Sequence, residues 1–80
     1  MMNVKINRRI INNLKKEKEA ILEGYEFQKQ LAHAIEKKYV EANDFYMVNL
    51  VRTKQNCLSN QIAYYEGMIT GYKVSLSLMK

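Results

Sequence analysis

The sequence predicts an all-α protein, an antiparallel helical hairpin of two long helices that dimerises into a four-helix bundle. Three observations carry this. The 80 residues contain no proline and three glycines, which leaves few places to end a helix. Apolar residues recur at steps of three, four or seven in both halves, with strand-like alternation in neither. A chain this short also buries too little apolar surface to be strongly stable alone, and self-association supplies the rest.

The first helix is expected over residues 4–42. Its main apolar line is Ile6, Ile10, Leu14, Ile21, Gln28, Leu31, Ile35, Tyr39 and Ala42, and these side chains share one face. Beside it runs a second line, Val4, Ile11, Leu22 and Val40, which widens the buried face beyond a two-helix seam. The hinge is placed at 43–44: Asn43 can take the left-handed conformation that closes a helix, and Asp44 can accept from the first free amides of the next.

The second helix is expected over residues 45–79, on the line Met47, Val51, Leu58, Ile62, Tyr65, Ile69, Tyr72, Leu76 and Met79. Val51, Lys54, Leu58 and Ile62 hold one phase across the polar patch "TKQNCLSNQ". One continuous helix is therefore preferred to two with a loop near Asn56. The whole chain, 1–80, makes one domain.

Polar residues interrupt both lines: Glu17 and Gln28 in the first helix, Lys54 and Gln61 in the second. At apolar positions such groups either set the register of helix pairing, since an unmatched one costs about 1 to 3 kcal/mol, or mark a level open to water. Glycine raises a related question in "AYYEGMITGYK", residues 63–73, because each in a helix interior costs about 1 kcal/mol relative to alanine. Two reasons for Gly67 and Gly71 are open. Small residues could let the hairpin helices approach closely, with Ala20 and Gly24 meeting Gly67 and Ala63 at one height. Alternatively, Asn60, Ala63, Gly67, Gly71 and Val74 line a charge-poor outer surface for a partner protein, with Tyr64 and Tyr72 as aromatic anchors.

Catalytic chemistry finds no support. His33 has no Ser, Cys or Asp three or four residues away, and Cys57 reads as a small boundary hydrophobe. One cysteine and one histidine fall short of a zinc site, and no Gly-rich phosphate loop occurs, so no catalytic residue, metal or cofactor is expected. Without a secretory signal core or a membrane-length apolar run, the expected location is the cytoplasm.

The formal charge of +5 is uneven. Residues 1–19 carry Lys5, Arg8, Arg9, Lys15, Lys16 and Lys18 against Glu17 and Glu19, a net +4. In a hairpin this basic start meets the basic second helix at the end away from the turn. Lys5, Arg8, Arg9, Lys15 and Lys16 are therefore the candidates for contacting RNA or DNA phosphates. A dimeric helical hairpin with a basic end resembles, in architecture alone, the Rop plasmid RNA-binding protein.

The function expected is that of a small non-enzymatic regulator or inhibitor that binds a larger protein, of a kind encoded by a phage or mobile element. The alternative is a basic bundle dimer that binds nucleic acid.

Overall fold

The computed structural model describes residues 2–79; the side chains of Met2, Asn3, Val4 and Ile6 lie outside the described set, and with them the expectations for Val4 and Ile6. Helix α1 spans Met2–Glu41 and helix α2 spans Phe45–Leu78, and the two pack antiparallel along a rod of 63 × 14 × 13 Å. Helix α2 is continuous through the polar patch.

Three residues turn the chain. Asn43 is left-handed at φ 57°, a conformation that asparagine tolerates better than most residues. Its amide donates to the Val40 carbonyl at 3.0 Å, while the Asp44 amide donates to Tyr39 at 3.0 Å. Together these bonds occupy two of the last carbonyls of α1, the pattern of a Schellman closure. Asp44 then caps α2, its carboxylate accepting from the Met47 amide at 3.2 Å.

The seam between the helices follows an unbroken heptad rhythm. On α2 it comprises Val48, Val51, Gln55, Leu58, Ile62, Tyr65, Ile69, Tyr72, Leu76 and Met79, all buried or half-buried. On α1 it comprises Ile11, Lys15, Lys18, Leu22, Tyr25, Lys29, Ala32, Glu36 and Tyr39, also buried or half-buried. Val48, at 2% exposure, is the most enclosed. Lys15 and Lys18 lay their aliphatic stems along this seam and pair with Glu19 and Glu17, each at 3.8 Å. Near mid-length Tyr25 stacks on Tyr65 with ring centroids 5.6 Å apart, and Tyr64 meets Tyr65 edge-on at 5.4 Å.

Two expectations need correction. The main apolar line of α1 does not face α2: Ile10, Leu14, Leu31 and Ile35 are exposed, and the lesser line through Ile11 and Leu22 takes the seam. The two lines sit one residue apart, about 100° around the helix, so periodicity alone leaves the choice between them open. In α2 the same offset puts Gln55 in the seam and leaves Lys54 exposed. Nor do the glycines bring the hairpin helices together. A Cβ built on Gly24, Gly67 or Gly71 would meet nothing within 4 Å.

Candidate functional site

The hairpin has two unlike sides. Positions one residue before each seam position share one side, because in antiparallel helices that offset rotates both lines the same way. On α1 these include Ile10, Leu14, Ile21, Leu31 and Ile35, and on α2 Met47, Leu50, Tyr64, Met68 and Leu78. Leu31 and Leu50, each at 49% exposure, and Leu78 at 81% show how open this side is. Toward the turn it deepens into a groove of about 390 Å³ between the helices, lined by Gln28, Leu31, Ala32, Ile35, Leu50, Val51 and Lys54. The charged residues of this side are Glu17 and Lys54, with Lys38 beside the turn.

The opposite side is polar. Lys16, Glu23, Glu26, His33 and Lys37 of α1 stand across from Asn49, Arg52, Asn56, Glu66 and Lys73 of α2, all exposed. Arg52 Nε donates to Glu36 Oε1 at 2.6 Å, and His33 Nδ1 lies 3.9 Å from Glu36 Oε2. The Arg52 guanidinium holds the Glu36 carboxyl below the usual carboxylate range, against a smaller opposing effect of desolvation. The Gln55 amide acts in the same direction as Arg52 without closing a hydrogen bond, since its enclosed Nε2 has no partner.

The residues expected to bind a partner protein divide among three outer surfaces and the seam. Asn60, Gly67 and Val74 are exposed on the outward strip of α2, in line with Tyr46 and Thr53. This strip carries no charge from Tyr46 to Val74. Tyr64 and Gly71 belong to the apolar side, and Ala63 to the polar side. Tyr72 stands in the seam, half-buried, so it is not positioned as an outer anchor. The sequence reading missed the apolar side as one surface because it assigned the Ile10 to Ile35 line to the hairpin's own seam.

The basic candidates gather at the end away from the turn. Lys5, Arg8, Arg9 and Lys16 are exposed, Arg8 donating to the Leu76 carbonyl at 3.4 Å, while Lys15 is half-buried beside Glu19. Among the described residues no group of three or more His, Cys, Asp or Glu is placed to hold a metal ion, and no helix is long and apolar enough to cross a membrane. Cys57 is exposed and unpaired.

The chain matches no known family model, no curated protein and no solved structure.

Proposed function

We propose that the protein is a non-enzymatic binding module that works as a homodimer, two hairpins closing on their apolar sides into a four-helix bundle. The observation that supports this is the sorting of side chains: exposed Ile, Leu and Tyr on one side, most of the charges on the other. Its surface area argues the same way. The chain exposes 6276 Å². A compact monomer of its 9.5 kDa would expose about 5,000 Å². The excess, roughly 1,200 Å², exceeds the ~800 Å² that each partner contributes to an ordinary interface.

With the apolar sides closed on each other, the uncharged outward strip of α2 stays free. On this reading the bundle regulates or inhibits a larger protein by pressing that strip, with Asn60, Gly67 and Val74, against it. Affinity capture with the tagged chain, with and without nuclease, tests the idea. A discrete protein retained after nuclease, and lost on Gly67→Glu in a still-folded chain, is the expected result. Retention unchanged by Gly67→Glu would refute the strip as the binding surface. The clustering of exposed Lys5, Arg9 and Lys16 at one end favours a second reading, binding to RNA or DNA phosphates. Recovery of nucleic acid alone, lost as salt rises, would select it.

A further inference from the structure

The apolar side raises a question of direction. Two hairpins can close on it with their turns together or with their turns at opposite ends, and the two charges away from the turn, Glu17 and Lys54, distinguish the arrangements.

Cross-helix contacts fix the level of each residue along the rod. Arg8 meets Leu76, Tyr25 stacks on Tyr65, and Arg52 bonds Glu36. On that register Lys54 stands about level with His33, Ile62 with Tyr25, and Thr70 with Glu17. Glu17 and Lys54 therefore lie on either side of Tyr25 at nearly equal distances, roughly 12 Å at 1.5 Å of rise per residue. Tyr25 is also near the middle of the stretch over which the two helices overlap.

We propose that a second copy of this chain docks on the apolar side with its turn at the opposite end, so that Glu17 of each protomer meets Lys54 of the other across the bundle. This rests on the dimer reading above and adds its direction. A two-fold axis across the rod near Tyr25 exchanges the two charged levels, giving two opposite-charge pairs. With turns together, Glu17 would share a level with its own copy, and so would Lys54, placing like charges in one apolar interior. The reversed arrangement also matches shapes. Leu14 and Ile21, flanking Glu17, arrive over Leu31 and Ile35 at the groove, whose edge is Lys54. Glu17 is 60% exposed in the single hairpin, with Lys18 at 3.8 Å, so its carboxylate has room for a further partner.

The test uses the full chain and reads association by sedimentation equilibrium. Glu17→Lys and Lys54→Glu each put two like-charge pairs in the reversed dimer and should weaken association tenfold or more. Mixing the two variants, or combining both changes in one chain, re-forms both pairs and should restore association to within a few-fold. A second measurement fixes geometry independently of charge. Gln61 stands near the level of Tyr25, so with Gln61→Cys in a Cys57→Ser background the new thiols share a level in either arrangement, whereas with Leu78→Cys they share one only when the turns lie together. In the reversed dimer an interchain disulfide should form with Gln61→Cys and not with Leu78→Cys at the far end. A wild-type dimer in which the single charge variants associate normally, or in which Leu78→Cys links as readily as Gln61→Cys, would overturn the reversed direction. A wild-type monomer would instead overturn the dimer reading, and this inference with it.

Discussion

Replacing Gly67 by alanine should stabilise the protein, and the size of the gain follows from its surroundings. Gly67 lies inside α2, no glycine has a positive φ, and a Cβ at this position meets nothing within 4 Å. The new methyl group would therefore bring no clash, and alanine removes the backbone freedom that glycine loses on folding. Helix propensity puts the gain at about 1 kcal/mol. For a domain of this size that raises the midpoint of thermal unfolding by about 4–8 °C. Circular dichroism melts of both proteins at equal chain concentration measure it, and equal concentration matters because a dimer's midpoint depends on it. A lowered midpoint with unchanged helix content would refute the reasoning, since it would mean that the outward strip is packed against something. Gly71→Ala is the control. It has the same open space in the single hairpin but lies on the apolar side, where a second copy would meet the methyl group, so its gain should be smaller or reversed.

Leu58 is 5% exposed in the seam, so Leu58→Ala should cost about 2–5 kcal/mol in chemical unfolding. Asp44→Ala removes the acceptor for the Met47 amide and should cost about 1 kcal/mol in the same assay, with Asp44→Ser or Asp44→Asn recovering most of it. The Glu36 carboxyl is held below its unfolded value, so its contribution to stability is present above the ordinary carboxylate range and fades as pH falls through the lowered folded value. Arg52→Gln should return the Glu36 carboxyl toward its ordinary range in an NMR pH titration, and an unmoved titration would show that Arg52 is not the cause.

Much of the fold was legible because its signals are local. The absence of proline and the apolar rhythm specify two helices, and Asn43 followed by Asp44 supplies the left-handed closure and the cap that the turn requires. What stayed hidden is a matter of rotation. Helix α1 carries two apolar lines one residue apart, and the richer one, Ile10 to Ile35, looks like the natural seam. The turn geometry and the heptad line of α2 instead select Ile11 and Leu22, although that choice places Lys15, Lys18 and Lys29 at seam positions. Long lysine stems make the choice tolerable by covering apolar surface while the charge reaches water. Glu17, Gln28, Lys54 and Gln61 were visible as polar interruptions, but that Glu17 and Lys54 share one side, symmetric about Tyr25, needed the register between the helices. The two readings of Gly67 and Gly71 stayed open in the sequence for the same reason, since their surroundings depend on which way each helix is turned.

Sedimentation equilibrium of the unmodified chain over a range of concentrations tests the central claim, that the apolar side is an interface between two copies. A mass of about twice 9.5 kDa, falling toward the single-chain value only on dilution, is the predicted result. A folded helical chain that sediments as a single 9.5 kDa species at every concentration would contradict it.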